Sequence, residues 1–174
     1  QQSDERISSG LGIRDAMMAD NLEHIVARES GRGKVLVFAH NSHLKCGMME
    51  WQLGPHLVQW WPAGAQLEAV FGADYVVIGT GVGVSEENGI GEPESGTLEA
   101  HLTALPGTAA LIPTHKGSGL PSDEVDFLPV RSASQKNFSY FAWNSSSLAE
   151  YDWLCILKTT TYSRGGPSLQ IPSG

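Results

Sequence analysis

The sequence predicts an α/β domain built on a mostly parallel β-sheet with flanking helices. Short apolar runs alternate along the chain with segments of helical periodicity. Several of these runs are apolar without a break, which is typical of strands that are covered on both faces. The chain has 174 residues, enough for one domain with a hydrophobic core.

Composition and charge narrow the class of protein. The net charge of -8 disfavours a nucleic-acid-binding surface, which needs a basic patch to meet phosphates. No apolar run approaches the roughly 20 residues of a membrane-spanning helix. Two cysteines are too few for a disulfide framework, and we interpret them as reduced thiols of a cytoplasmic protein. The chain begins with Gln1 rather than Met, so we expect it to be part of a longer protein.

The first predicted helix covers residues 11–28, and we expect residues 1–10 to be disordered or a linker. The apolar face of this helix comprises Leu11, Met18, Leu22, Ile25 and Val26. The sequence ESGRG after it supplies glycine for the helix end. Residues 35–39 (VLVFA) then predict a strand buried on both faces.

The middle of the chain predicts shorter elements. We expect residues 44–63 to form a loop with some helix, residues 66–72 a short helix and residues 75–78 a second buried strand. Three tryptophans in this part are interpreted as core, with the lining of an apolar pocket as the alternative: Trp51, Trp60 and Trp61.

The second half begins with a glycine-rich segment, residues 79–96, which predicts a long flexible loop. A helix is expected at residues 97–104, with Thr97 near its N-cap. Further strands are predicted at residues 109–112, 127–130 and 154–158. Residues 165–174 are expected to be a disordered tail, so that the domain spans residues 11–164.

Two histidines follow the first predicted strand, in the sequence AHNSH. In open α/β sheets, reactive groups lie beyond the carboxyl ends of the strands, where His40 would emerge. Histidine suits proton transfer near neutral pH. The alternative is a histidine that only caps the following loop. A metal site formed by His40, His43 and Cys46 is a weaker alternative, because this spacing is not that of a known zinc motif.

Five segments carry a resemblance to a known family. They are RDAMMADNLEHIV, KVLVFAHNSHL, GADYVVIG, GTLEAHL and EYDWLCILKTTTYSR. In this order they resemble the C-terminal part of the erythromycin esterase family, over residues 11–164. The resemblance implies an erythromycin esterase-like fold that is incomplete in this chain, and hydrolysis of a macrolactone-type ester without metal or other cofactor.

The resemblance also implies roles for individual residues. Water would be the nucleophile, and His40 is the stronger candidate for its general base. Arg14 would orient that histidine or stabilise the oxyanion, while His43 and Asn41 would support the site. Asn21, two helical turns after Arg14, is a further supporting candidate.

The resemblance also indicates what this chain lacks. Family members carry an N-terminal half with a G-E-x-x-H-G-like motif, which does not occur here. We therefore expect the isolated chain to be inactive and its missing partner to be that half of the same protein. The expected ligand is a small-molecule ester, with macrolides and antibiotic resistance as one case. The alternatives are a non-catalytic binding or scaffold domain, and a metal-dependent hydrolase using the AHNSH histidines.

Overall fold

The computed structural model describes residues 2–119, 125–161 and 166. The helices are α1 (Gln2–Arg28), α2 (Asn41–Leu44), α3 (Ala63–Phe71), α4 (Leu98–Thr103) and α5 (Ser145–Leu148), with 3-10 turns at Gly72–Asp74 and Glu86–Asn88. The strands are β1 (Met49–Leu53), β2 (His56–Trp60), β3 (Ile78–Val84), β4 (Ala109–Pro113) and β5 (Trp153–Thr159). None of the helices in these ranges is long and apolar enough to cross a membrane.

The strands form two small sheets. Strands β1 and β2 make an antiparallel hairpin, and the second sheet has the order β3-β5-β4. In that sheet β3 is parallel to β5, whereas β4 is antiparallel to β5. The fold is therefore mixed α/β, and the predicted mostly parallel sheet is not confirmed. Unbroken apolar runs indicate buried strands, but they do not determine the direction of the neighbouring strand.

The first helix is longer than predicted. It begins at Gln2, so residues 2–10 are helical, whereas disorder or a linker was expected at residues 1–10. Asp4 and Glu5 lie in its first turn, where acidic side chains interact favourably with the helix dipole. Ile7 packs against the hairpin residues Val58 and Trp60, which explains why this polar segment is ordered. The end of the helix at Arg28 agrees with the prediction.

Residues 35–39 do not form the predicted buried strand. They lie in no helix or strand, and they pair with no strand in the described part of the chain. Leu36 and Phe38 are 92% and 95% exposed, whereas Val35, Val37 and Ala39 are half-buried. The prediction of a strand buried on both faces is therefore wrong, because an apolar run does not by itself supply a neighbouring strand.

The hairpin β1–β2 replaces the loop with some helix that was expected at residues 44–63. Its turn contains Gly54 with φ of 59°, a conformation that glycine adopts without strain. The three tryptophans of this part differ in environment. Trp60 is buried, Trp51 is half-buried against Phe141, and Trp61 is 59% exposed.

The glycine-rich segment contains a strand rather than only a loop. Strand β3 starts at Ile78, where the predicted strand at residues 75–78 was expected to end, and continues to Val84. A Cβ atom on Gly79 would lie 2.6 Å from the Trp143 ring and 2.8 Å from Tyr151. The missing side chain of Gly79 therefore allows two large aromatic side chains to pack directly on the strand.

Most of the remaining predictions are confirmed. Helix α4 has Thr97 as its N-cap, and α3, β4 and β5 lie close to their predicted positions. Residues 127–130 do not form the predicted strand. The predicted tail at residues 165–174 falls outside the described residues, except for Gly166.

The hydrophobic core has its largest cluster between the three-stranded sheet and α4. Leu154 and Ile156 of β5 pack there with Leu98, Leu102 and Trp143. A second cluster joins α1 to α3 through Ala19, Ala63 and Leu67. Together with the hairpin, this second cluster determines how α1 is placed beside the residues of α2.

Candidate functional site

His40 directly follows residues 35–39 and is the N-cap residue of helix α2. Its Nδ1 accepts a hydrogen bond from the backbone N–H of Ser42 at 3.2 Å and lies 2.8 Å from the Ser42 hydroxyl. Because Nδ1 must present a lone pair to that N–H, neutral His40 carries its proton on Nε2. The ring retains an exposed face and packs edge-on against Phe141, with the ring centroids 6.1 Å apart.

The protein environment lowers the pKa of His40. Partial removal of water from around the ring is the main cause, and the neighbouring His43 is the second; the backbone of Ser139 acts in the opposite direction. The centroids of the two imidazole rings are 6.5 Å apart. The structure thus favours a neutral His40 imidazole beside a second histidine.

His43 is held by a buried carboxylate. Its Nδ1 lies 2.9 Å from Oδ1 and 3.2 Å from Oδ2 of Asp15, which is completely buried. The indole Nε1–H of Trp60 donates to Asp15 Oδ2 at 2.8 Å. A carboxylate at Nδ1 holds the ring so that its Nε2 carries the free lone pair. His43 remains partly accessible, with 19% of its side chain exposed.

Arg14 contacts His43 and Asp15 rather than His40. Its Nη2 lies 3.4 Å from His43 Nε2, and its Nε lies 3.5 Å from Asp15 Oδ1. The Arg14 side chain is 53% exposed. The guanidinium therefore lies at the protein surface, directly over the nitrogen of His43 that carries the lone pair.

The two asparagines predicted as supporting residues have different positions. The side chain of Asn41 donates to the Thr80 carbonyl at 2.7 Å and accepts from the Thr80 N–H and hydroxyl at 3.1 Å. Asn41 therefore ties α2 to β3. Asn21 is exposed and makes no side-chain hydrogen bond with any residue in the described ranges, so the structure does not bring it to the histidines.

Helix α2 and the end of β3 form one wall of an open cavity of about 920 Å³. This volume is within the range of small-molecule sites. His40, Asn41 and Ser42 line it, but His43 does not. Aromatic side chains contribute much of the remaining surface, namely Phe38, Tyr140, Phe141, Trp143 and Tyr151.

A charged pair also faces the cavity. Lys45 Nζ lies 2.7 Å from Glu150 Oε2, and both side chains are mostly buried. Burial raises the pKa of Glu150, while Lys45 opposes this shift. The cavity therefore presents one cation and one carboxyl group in addition to the imidazole of His40.

The buried side chain of Arg131 links strand β3 to Tyr140, which lines the cavity. Its guanidinium donates to the carbonyl of Val82 at 2.7 Å and to the Tyr140 hydroxyl at 3.1 Å. The hydroxyl of Tyr140 lies 3.3 Å from the buried carboxylate of Glu99, which also accepts from the Trp143 N–H at 2.8 Å. Burial, with Glu99 as the second cause, raises the pKa of Tyr140 to about 12. This network positions the aromatic wall.

The proposed set of metal ligands is not brought together. In the described part of the chain, no three side chains of His, Cys, Asp or Glu form a group that could hold a metal ion. Cys46 instead lies near Glu68, and burial together with that carboxylate raises the pKa of its thiol to about 12. The spacing of His40, His43 and Cys46 therefore does not produce a metal site.

A comparison of the sequence with protein families gives one result. The profile of the family described as erythromycin esterase matches residues 1–160. The chain belongs to the erythromycin esterase family. This membership favours a hydrolase-like function.

Two solved structures are similar in fold to this member of the erythromycin esterase family. One is a succinoglycan biosynthesis protein, with 18% identity and a TM-score of 0.59; the match covers 88% of this chain and 40% of that protein. The other, from Bacillus cereus, has 14% identity and a TM-score of 0.57, covering 87% and 39%. The chain thus spans about two fifths of the length of these relatives. No curated protein matches it significantly.

Sequence reasoning did not identify Asp15 or Trp60 as parts of the site of this erythromycin esterase family member. One signal was present. Asp15 lies on the apolar face of α1, four residues after Leu11 and four before the buried Ala19. A carboxylate on the buried face of a helix requires hydrogen-bond donors, because burying an unpaired charge is costly. Trp60 carried no such signal, since its indole N–H is positioned only by the hairpin.

Proposed function

We propose that the chain carries the water-activating histidine of an esterase-like hydrolase and that His43, held by Asp15, is its general base. The observation that supports this proposal is the 2.9 Å contact between the completely buried Asp15 carboxylate and His43 Nδ1. A carboxylate at one ring nitrogen of an imidazole is the arrangement that hydrolases use to accept a proton at the other, here Nε2, once the long contact with Arg14 is displaced. His40, the stronger candidate by sequence, has its Nδ1 engaged by the N–H of Ser42.

In this mechanism water attacks the carbonyl carbon of the ester, and His43 Nε2 takes its proton. Asp15 stabilises the positive charge that the ring acquires. Collapse of the tetrahedral intermediate breaks the bond to the alcohol, and the imidazolium returns its proton to the departing alkoxide. No side chain is acylated, because water is itself the nucleophile.

Arg14 and His40 are suited to stabilise the oxyanion. The guanidinium of Arg14 lies 3.4 Å from His43 Nε2. This contact is long and half-exposed, so a substrate carbonyl can displace it at little cost and free the lone pair of His43. Neutral His40 carries an Nε2–H that can donate a hydrogen bond to a carbonyl oxygen bound in the cavity. We expect Arg14→Lys to lose most activity, since an ammonium group does not reproduce the planar donor geometry.

The substrate we propose is a bulky ester, with macrolactones as the class to test first. The cavity of about 920 Å³ and its aromatic wall are compatible with the body of such a ligand. His43 lies outside the cavity lining, so the ester group would extend past His40, whose ring centroid is 6.5 Å from that of His43. The family is named for an esterase of erythromycin, whereas one solved relative is named for succinoglycan biosynthesis. These names do not agree on one substrate. Hydrolysis of an ester is the chemistry that the His43–Asp15 pair supports in either case.

The test is mass spectrometry of a panel of macrolactones and simple esters after incubation with the full-length protein, because the isolated chain is expected to be inactive. We expect a gain of one water for at least one ester. His43→Ala should abolish this gain, and Asp15→Asn should reduce the rate roughly 10³–10⁴-fold, as expected when the imidazole loses the carboxylate that sets its tautomer. His101→Ala, which changes an exposed histidine on α4, is the matched control and should retain full activity.

The variants also distinguish the two histidines. If His40 were the base, His43→Ala would keep substantial activity and His40→Ala would have none. Near-normal turnover by His43→Ala would therefore contradict the proposed mechanism.

A second candidate function is a non-catalytic binding domain. It is favoured by the fact that the chain spans about two fifths of the solved relatives, which leaves most of their domain unmatched. Saturable binding of a panel member without any gain of water, in a protein with correctly folded α2, would support this candidate over hydrolysis.

A further inference from the structure

Two charged side chains that the proposed mechanism does not use, Lys45 and Glu150, line the same cavity as His40. Lys45 directly follows helix α2, and Glu150 lies two residues beyond α5. Lys45 Nζ is 2.7 Å from Glu150 Oε2, and only 13% and 18% of the two side chains are exposed. Taking two charges out of water is costly, so a buried pair contributes little to stability unless further hydrogen bonds complete it. The place of this pair in the cavity is therefore better explained by ligand binding than by stability.

The pair is not completed by such hydrogen bonds. Oε2 of Glu150 is sealed from solvent and accepts no hydrogen bond of good geometry from a described residue, so it meets Lys45 as a charge only. An ammonium group has three N–H donors, and a contact with one carboxylate cannot occupy all of them. The pair thus presents donors of Lys45 and the second carboxylate oxygen, Oε1, to a ligand in the cavity.

Gly47 leaves the space that the carboxylate occupies. A Cβ atom on this residue would lie 2.0 Å from Oε1 and 2.7 Å from Cδ of Glu150. Gly47 is not among the glycines with positive φ, so its backbone conformation does not require glycine. The close approach of Glu150 therefore accounts for the missing side chain, and any larger residue at position 47 would displace the carboxylate.

The charges of the pair favour a neutral ligand group. An anionic ligand would compete with Glu150 for Lys45, and a cationic ligand would compete with Lys45 for Glu150. Either displaced partner would stay mostly buried without its counter-charge, which is costly. A hydroxyl group, in contrast, can accept a hydrogen bond from Lys45 and donate one to Glu150 while the ion pair stays intact.

We propose that Lys45 and Glu150 form a binding subsite for an aliphatic hydroxyl group of the ester substrate, with Gly47 making room for the carboxylate. The inference deepens the proposed function and rests on it, since the cavity is taken to hold the body of the ester. It narrows the substrate class to hydroxylated esters. A ligand without the hydroxyl would remove water from both charges and return no hydrogen bond, so the pair acts as a specificity determinant.

The experiment measures binding without turnover, in the full-length protein carrying His43→Ala. The probes are a polyhydroxylated macrolactone and a set of analogues that each lack one hydroxyl group, and calorimetry gives the Kd of each. We expect one analogue to bind about tenfold or more weakly than the parent macrolactone, because hydrogen bonds to charged groups are stronger than those between neutral groups. The ratio of these two Kd values is the readout.

A double variant tests the pair itself. Lys45→Met combined with Glu150→Leu removes both charges together and leaves neither one unpaired, so the fold should persist. We expect the Kd ratio to fall to about twofold or less, while the deoxy analogue binds at least as tightly as before. Lys116→Met with Glu68→Leu makes the same changes in an ion pair that does not line the cavity, and the ratio should remain unchanged.

Gly47→Ala tests the subsite with both charges retained. The added methyl group takes the place of the carboxylate, which can move because it is the end of a flexible side chain. The Kd ratio should fall severalfold, although circular dichroism and urea unfolding should show a folded protein. A purely structural role of the ion pair would not change this ratio.

Four outcomes would overturn the proposal. They are no binding of the parent macrolactone, equal binding of all the analogues, an unchanged ratio in the double variant of Lys45 and Glu150, and an equal loss of the ratio in the variant of Lys116 and Glu68. The hydrolase proposal fails separately. Selective binding without any gain of water in the unmodified full-length protein would contradict hydrolysis alone, whereas a gain of water with equal Kd values would contradict the subsite alone.

Discussion

At the residue scale, the site depends on the hydrogen bonds around one buried carboxylate. Asp15 is completely buried, and the indole N–H of Trp60 supplies one of its donors. Hydrogen bonds to charged groups contribute more to stability than hydrogen bonds between neutral groups. A buried charge that loses a donor is also left with the full cost of its desolvation. The contribution of Trp60 to stability should therefore be measurable apart from its packing.

We expect Trp60→Phe to lower the free energy of unfolding by about 1.5–3 kcal/mol, because an aromatic ring is retained while the donor to Asp15 is lost. Urea denaturation measures this change. Trp61→Phe, at a neighbouring side chain that is 59% exposed, is the matched control and should change stability by no more than about 0.5 kcal/mol. Equal effects of the two substitutions would show that the hydrogen bond to Asp15 contributes nothing.

The lowered pKa of His40 predicts how stability depends on pH. Burial and His43 disfavour its charged form, so the unfolded chain binds a proton before the folded protein does. The free energy of unfolding should thus fall as the pH is lowered through about 6.5, the ordinary value, and the loss should level off below the folded-state pKa.

Comparison with His40→Gln isolates this contribution. The variant has no group that titrates at residue 40, so its stability should fall less between about pH 7 and pH 5 when both proteins are unfolded with urea. Titrating groups elsewhere in the chain are common to both proteins, so their contributions cancel. Parallel pH profiles would contradict a lowered pKa at His40.

At the scale of elements, the glycines of β3 set how closely the rest of the sheet approaches. A Cβ atom on Gly83 would lie 2.4 Å from the carbonyl oxygen of Lys158 in β5 and 2.7 Å from Thr103 in α4. Backbone atoms of a paired strand cannot move away without breaking ladder hydrogen bonds. The position therefore excludes any side chain.

We expect Gly83→Ala to destabilise the protein by about 1–3 kcal/mol, the usual cost of overpacking. Gly10→Ala is the matched control, for which we expect the stability to change in the opposite direction. Gly10 lies inside α1 with no atom within 4 Å of an added Cβ, so alanine should stabilise the helix by about 0.5–1 kcal/mol. Thermal or urea unfolding measures both variants, and stabilisation by Gly83→Ala would contradict the observed packing.

Strand β3 also shows why the sequence-based prediction of a loop at residues 79–96 was incomplete. Residues 79–84 contain three glycines, a composition that favours a flexible loop when only local preference is considered. The structure makes them a strand because Trp143 and Tyr151, far away in sequence, pack on the surface that missing side chains leave open. Helix α4, in contrast, was predicted well because Thr97 caps it locally.

At the scale of the whole molecule, charge and exposed apolar surface act against each other. The net charge is -8 at pH 7, and the calculated isoelectric point is about 5.1. Repulsion between like-charged molecules opposes contact through Leu36 and Phe38, which are almost fully exposed. This repulsion disappears as the pH approaches the isoelectric point.

We expect light scattering by the purified chain to rise as the pH is lowered from 7 towards 5.1. Leu36→Gln with Phe38→Gln leaves the charge unchanged and should reduce the rise, because it removes apolar surface only. An identical rise in this variant would show that these two side chains do not cause the association.

The sequence by itself determined the α/β character, most of the helices, strands β4 and β5 of the three-stranded sheet, and the family. These features follow from hydrophobic periodicity, helix caps and short sequence motifs, each of which depends on only a few neighbouring residues. Only the tertiary structure decided that His43 rather than His40 contacts a carboxylate, that Arg14 contacts His43, and that residues 35–39 pair with no strand among the described residues. Each of these depends on which distant segments pack together, and Asp15, Trp60 and His43 become neighbours only when α1, the hairpin and α2 are assembled around one core.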